Sequence, residues 1–220
     1  MPLFSQLKFE TSVHELNTLP TSAREVAFAG RSNAGKSSAI NTLARHKLAF
    51  VSKTPGRTQL LNFFSISPGN YLVDLPGYGY AQVPEAVKLH WQATLARYLE
   101  TRQELVGLVM IMDIRHPLTT LDRKMLDWYA PSGRPVHILL SKSDKLSKNP
   151  AAATLKQVRA ELQSAYPQCS VQLFSSLKKT GVEEAEAVIG GWLGETPTPE
   201  APDNKKPLAK GEQKPGAKMP

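Results

Sequence analysis

Gly30, Arg31, Ser32, Asn33, Ala34, Gly35, Lys36 and Ser37 fit the spacing G-x-x-x-x-G-K-S/T. Gly30 and Gly35 permit torsions and close approaches that a Cβ would block, so successive backbone N–H groups can converge on phosphate oxygens at a helix N-terminus. Lys36 adds a mobile charge for β and γ phosphates, and the Ser37 hydroxyl is a candidate magnesium ligand. The apolar run Val26–Ala29 before the loop and the helical stretch from Ser37 to Leu43 after it supply the strand, loop and helix that this chemistry requires. A glycine-rich turn that merely opens a helix is the plainer alternative for such a match.

Further segments narrow the choice. Asp74, Leu75, Pro76 and Gly77 follow a predicted hairpin (62–67 and 71–73). The aspartate can hold a magnesium shell through water, and the glycine N–H can reach a γ-phosphate. Between the two motifs, the turn-rich segment Ser52–Thr58 offers Thr58 as a second hydroxyl for magnesium. Ser141, Lys142, Ser143 and Asp144 follow the predicted strand 135–140 and have the form N/T/S-K-x-D. The Asp144 carboxylate can accept from guanine's N1–H and exocyclic amine, a donor pair adenine lacks. The Lys142 stem can lie along the base, and Phe174, Ser175 and Ser176 close a strand whose turn can aim an N–H at guanine O6. Each short motif alone fits a helix cap or turn; their order, each behind a predicted strand, favours one guanine-nucleotide site.

The elements that must position these residues alternate. Predicted strands at 26–29, 62–67, 71–73, 105–112, 135–140 and 171–174 are interleaved with helices at 83–102, 121–130, 151–166 and 182–193. This predicts an α/β fold: a mostly parallel six-stranded sheet with helices on both faces and one antiparallel edge strand, its motifs at the strands' carboxyl edge. Val87, Trp91, Leu95 and Tyr98 have helical spacing and read as core. The expected domains are a lead-in over 1–21, with Leu7, Phe9 and Val13 packing as an edge segment, a nucleotide-binding unit over 22–195, and a disordered Pro/Lys-rich tail over 196–220.

With 41% hydrophobic residues in 220 the chain can bury one core. The sequence has no apolar stretch long enough to span a membrane, and its first residues lack the regions of a signal peptide, so a cytoplasmic protein is expected; a monomer is a separate expectation. The one cysteine, Cys169, forms neither an internal disulfide nor a zinc cluster, and the histidines have no zinc-ligand spacing. The net charge is +8; residues 196–220 contribute five Lys against three acids, a net +2, so +6 remains on the rest. That balance fits an RNA-rich partner, a solvated surface or attraction to anionic lipid.

The phrases GRSNAGKSS, SKTPGRTQ, NFF, VDLPGYGYAQVP, SKSDKLS and FSSLKKTG, spread over residues 30–181, resemble the EngB (YihA/YsxC) family within the translation-factor-related GTPases. The resemblance implies a Ras-like P-loop GTPase domain and a slow, Mg2+-dependent GTPase of the cytoplasm. It further implies association with the large ribosomal subunit, its rRNA and proteins, during assembly, and a link to cell division and septation. It places magnesium on Ser37 and Thr58, a first switch on Gly56, Arg57, Thr58, Gln59 and Leu60, a second on Asp74 to Gly77, and base recognition on Ser141 to Asp144 with Phe174 to Ser176. Lys36, Thr58, Gly77 and Asn33 are the candidate catalytic groups. Ser141 departs from the commonest asparagine, and its shorter side chain is expected to tie base loop to phosphate loop less firmly. Tyr78 stands where Ras-like enzymes carry a water-orienting glutamine, which predicts slow hydrolysis. Asn33 either helps hold K+ near the γ-phosphate or only satisfies loop amides. Loss of the γ-phosphate is expected to release residues 52–58 and 78–84, which carry Lys53, Arg57, Tyr78 and Tyr80. The competing functions are a P-loop kinase or ATPase, and a division regulator acting by protein contacts alone.

Overall fold

The computed structural model describes residues 3–48, 60–78 and 85–195, and within 85–92 the backbone only. Lys53, Gly56, Arg57, Thr58, Gln59, Tyr80, the tail and the Val87 and Trp91 side chains therefore lie outside the described residues.

Among the described residues seven strands form one sheet: β1 (Lys8–Val13), β2 (Arg24–Gly30), β3 (Leu61–Ser67), β4 (Asn70–Asp74), β5 (Leu105–Asp113), β6 (Val136–Ser141) and β7 (Cys169–Leu173), in the order β1-β3-β4-β2-β5-β6-β7. The helices are α1 (Lys36–Ala44), α2 (Glu85–Thr101), α3 (Thr120–Tyr129), α4 (Lys148–Ala165) and α5 (Val182–Leu193). The sequence predicts six strands with an antiparallel one at the edge. The lead-in supplies a seventh instead, β1, so that β3, antiparallel to both β1 and β4, lies one place in from the edge. All other pairings are parallel.

Alternation along the central strands divides the core. Ala27, Ala29, Leu108, Met110 and Met112 pack on one face with Leu95, Tyr98 and Leu99 of α2, Leu126 of α3 and Leu162 of α4. Val26, Phe28, Val109 and Ile111 pack on the other with Ile40 and Leu43 of α1 and Ile189 of α5. A sheet covered on both faces needs apolar side chains at nearly every position, and β5 is buried at all but Val106. At the pole away from the strands' carboxyl ends, the fully buried Glu25 accepts hydrogen bonds from Tyr98 Oη (2.7 Å), Ser22 Oγ (2.6 Å) and the Arg102 guanidinium (2.6 Å), joining the start of β2 to α2. No helix among the described residues is long and apolar enough to cross a membrane.

Candidate functional site

The parallel strands bring their carboxyl ends to one edge of the sheet, where Gly30, Asp74, Asp113 and Ser141 close β2, β4, β5 and β6. Gly30 lies so close to β5 that a Cβ there would meet the Ile111 carbonyl at 2.9 Å. Gly35 is the N-cap of α1 at φ 107°, a left-handed torsion that favours glycine. The loop between them ends on a helix whose first N–H groups have no partner within the helix, the arrangement that receives anions.

Lys36 Nζ is paired with Asp74 Oδ1, both side chains about nine-tenths buried. Parallel pairing sets Asp74 beside Phe28, and Leu75 N donates to the Phe28 carbonyl at 3.0 Å, carrying the chain past the loop. Beyond the half-buried Gly77, Tyr78 runs alongside the loop: its N donates to Gly30 O (3.3 Å), and Ser32 N donates to Tyr78 O (3.0 Å). Ser37 stands half-buried at the second position of α1. Leu60, the one described residue of the expected first switch, is half-buried.

The two loops of the other end are bound to the first. Ser141 Oγ donates to the Ala34 carbonyl at 2.5 Å, with the Met112 carbonyl 3.1 Å away. The short serine therefore makes the tie that the sequence expects to be looser. A Cβ at Gly35 would stand 3.6 Å from Ser141 Oγ, an ordinary contact, so it is the left-handed torsion and not the space that favours glycine there. Lys142, at φ 56°, sends Nζ to the carbonyl of Asn33 (2.7 Å) and to Asp113 Oδ2 (2.9 Å). Asn33 is exposed and also left-handed, at φ 62°.

Asp144 Oδ1 accepts from Ser175 Oγ at 2.5 Å, and Ser175 Oγ in turn accepts from Lys178 N at 3.0 Å. Ser143 N donates to Phe174 O (3.1 Å), Phe174 is fully buried, and Ser176 is half-buried beside them. The structure thus brings together Gly30–Ser37, Asp74–Gly77, Ser141–Asp144 and Phe174–Ser176.

Two members of the site escape sequence reasoning. Asp113 reads only as the end of a strand, yet it holds both Lys142 and the Arg115 guanidinium (2.6 Å). Hydrogen bonds from Arg115, and then from Lys142, hold its carboxyl well below the usual range against the opposing pull of burial. Asp122 of α3 accepts from Tyr78 Oη. Basic residues following Asp113 hint at the first; nothing local marks the second. His116 is the closing residue of a turn, its N donating to Asp113 O at 2.9 Å.

A glycine-rich loop between a buried strand and a helix, an aspartate segment on the neighbouring strand and a hydrogen-bonded S-K-x-D loop define a P-loop GTPase. Residues 25–142 match the family described as the 50S ribosome-binding GTPases. The chain is 64% identical to the probable GTP-binding protein EngB of Methylobacillus flagellatus, over 92% of this chain and 99% of that one. It is 58% identical to that of Dechloromonas aromatica, over the whole of both. Among solved structures, it resembles a probable GTP-binding protein EngB (TM-score 0.61, 16% identity, 77% of this chain and 98% of that one). It also resembles Era in complex with MgGDPNP and 16S ribosomal RNA nucleotides (TM-score 0.62, 22% identity, 81% of this chain and 59% of that one). The chain belongs to the EngB family of GTP-binding proteins.

Proposed function

We propose that this GTPase is a slow Mg2+-dependent molecular switch of the cytoplasm, a monomer, which acts in assembly of the large ribosomal subunit and is needed for normal cell division. One observation carries the nucleotide assignment: the Ser141–Ala34 and Lys142–Asn33 hydrogen bonds join a base-reading loop to a phosphate-reading loop. A P-loop kinase or ATPase has no use for that brace.

In this reading residues 22–195 form the nucleotide-binding unit. Backbone N–H groups from Gly30 to Ser37 receive the phosphates, Lys36 leaves Asp74 for the β and γ oxygens, and the Gly77 N–H meets the γ-phosphate. Asp144, oriented by Ser175, accepts from guanine, and Lys142 flanks the base. The hard oxygen donors Ser37 and Asp74, close to where phosphates would lie, suit a cation that keeps water and phosphate oxygens in its shell, with Thr58 as the further ligand. Magnesium bound there would offset charge developing during phosphoryl transfer. Asn33, exposed on the outer arm of the loop, would hold K+ beside the γ-phosphate. K+-dependent turnover that Asn33→Ala abolishes supports this; equal rates in K+ and Na+ remove it.

The ribosomal assignment is supported by the family description and by the +8 net charge, which suits phosphate-rich RNA. Equilibrium titration with labelled GTP, GDP and ATP, with Lys36→Ala as control, tests the first part. Guanine nucleotides are expected to bind at least about a hundredfold tighter than ATP, and Lys36→Ala to weaken both GTP and GDP. Equal affinity for ATP overturns the assignment. Co-sedimentation with 50S particles is expected to be stronger with a non-hydrolysable GTP analogue than with GDP; no difference between them contradicts the switch.

A further inference from the structure

Tyr78 follows the glycine of the Asp74–Gly77 segment, and its phenol reaches the start of α3. Tyr78 Oη donates to Asp122 Oδ1 at 2.8 Å, and the ring packs against the core on the α2/α3 face. Asp122 is fully buried. Its other oxygen accepts from Thr119 N (2.9 Å) and Thr119 Oγ (2.7 Å), the capping box that opens α3. Arg31, inside the phosphate loop, brings Nε to 3.6 Å from the same oxygen. One buried carboxylate thus holds a residue of the loop, the residue behind Gly77 and the start of a helix.

We propose that Asp122 is a positioning residue for nucleotide discrimination: it latches Tyr78 to the α3 N-terminus and holds the Asp74–Tyr78 segment in a form that opposes the γ-phosphate. This rests on the assignment of the phosphates given above. In the latched form the Tyr78 backbone is strapped to Gly30 and Ser32, the outer half of the loop, and Lys36 is held by Asp74 of the same segment. Among the described residues the backbone N–H groups of Gly35 to Ser37, at the helix N-terminus, carry no such strap and remain fit for the inner phosphates. GDP, whose β-phosphate can take Lys36 but offers nothing to Gly77, therefore leaves the Tyr78 latch closed, whereas a γ-phosphate draws the Gly77 N–H toward itself and must open it.

A hydroxyl bound to a desolvated carboxylate belongs to the strong class of hydrogen bonds. Burial, and next the Asp122 charge, push the Tyr78 phenol far above its ordinary range, so it stays a donor throughout the physiological pH interval.

The test is equilibrium titration of the unsubstituted chain, Tyr78→Phe and Thr119→Ala with labelled GDP and a non-hydrolysable GTP analogue in Mg2+. Tyr78→Phe keeps the ring and removes only the latch. It is expected to tighten the GTP analogue about tenfold, from the strength of a charge-assisted hydrogen bond, while GDP stays within about twofold. Thr119→Ala weakens the α3 cap without touching Tyr78; it is expected to lower the melting temperature and leave the GTP-to-GDP ratio unchanged. A ratio that moves less than about threefold in Tyr78→Phe, or that moves equally in Thr119→Ala, overturns the latch and leaves the nucleotide assignment standing. Failure of the unsubstituted chain to bind either nucleotide overturns both.

Discussion

The two ends of the site are built differently. At the base end every functional side chain is braced by the protein itself: Ser141 by Ala34, Lys142 by Asp113 and Asn33, Asp144 by Ser175. At the phosphate end the groups suited to anions are engaged by internal acceptors, Lys36 by the Asp74 carboxylate and Ser32 N by the Tyr78 carbonyl. A reader that must always recognise the same base gains from pre-organisation, because less ordering remains to be done on binding. A sensor that must distinguish two from three phosphates needs two arrangements of similar free energy, and internal acceptors that stand in for phosphate oxygens provide the second.

That contrast can be broken from either side. The largest effect is expected from Asp144→Asn, which replaces an acceptor for guanine's paired donors with an amide. GTP affinity should fall roughly a thousandfold, about 4 kcal/mol, and xanthosine triphosphate should become the better ligand in competition titrations. An unchanged preference would mean that Asp144 does not face the base.

A smaller effect is expected from Ser141→Ala, which cuts the tie between the two ends. GTP and GDP should both weaken about fivefold, the worth of one hydrogen bond of about 1 kcal/mol, because the brace serves the base end shared by the two ligands. A loss confined to GTP would show that the ends are not separate in the way described.

The smallest effect sharpens the contrast through pH. Asp113 has a folded-state pKa held below its ordinary value by Arg115 and Lys142. Its contribution is therefore complete above the unfolded carboxylate value of about 4 and is lost progressively as pH falls below it. Thermal melts from about pH 7 to pH 3 should have an acid limb that is shallower in Asp113→Asn. Identical limbs would remove Asp113 as the organiser of the base end.

Much of this arrangement is legible in the chain because its chemistry is local. A G-x-x-x-x-G-K-S loop carries its torsional requirements and its helix start within eight residues, and buried runs such as Leu105–Met112 declare parallel strands. β1 is legible only in part: Leu7, Phe9 and Val13 suggest an edge segment, and the structure has β1 at the edge, but with Val13 its one buried position and its partner β3 some fifty residues away the strand itself is not predicted. The start of α4 is missed for another reason. Pro150 suggests a boundary before Ala151, yet the helix begins at Lys148, since a proline in the first turn lacks only an N–H that has no intrahelical partner there. Asp113 and Asp122 are not legible as organisers of the site because Lys142 and Tyr78 reach them from other elements; the basic residues after Asp113 are the one local hint. A carboxylate on a strand end or a helix cap looks the same in sequence whether or not an arginine, lysine or tyrosine folds onto it.

Amide hydrogen exchange without nucleotide, with GDP and with a non-hydrolysable GTP analogue compares the two ends most directly. The amides of Ser143 and Ser175, already hydrogen-bonded to Phe174 O and Thr180 O, should be protected in all three states. Those of Lys36, Ser37 and Gly77 should gain protection on binding, Gly77 with the GTP analogue alone. Base-end amides that exchange freely until nucleotide is added would contradict a preformed base reader and a remade phosphate end.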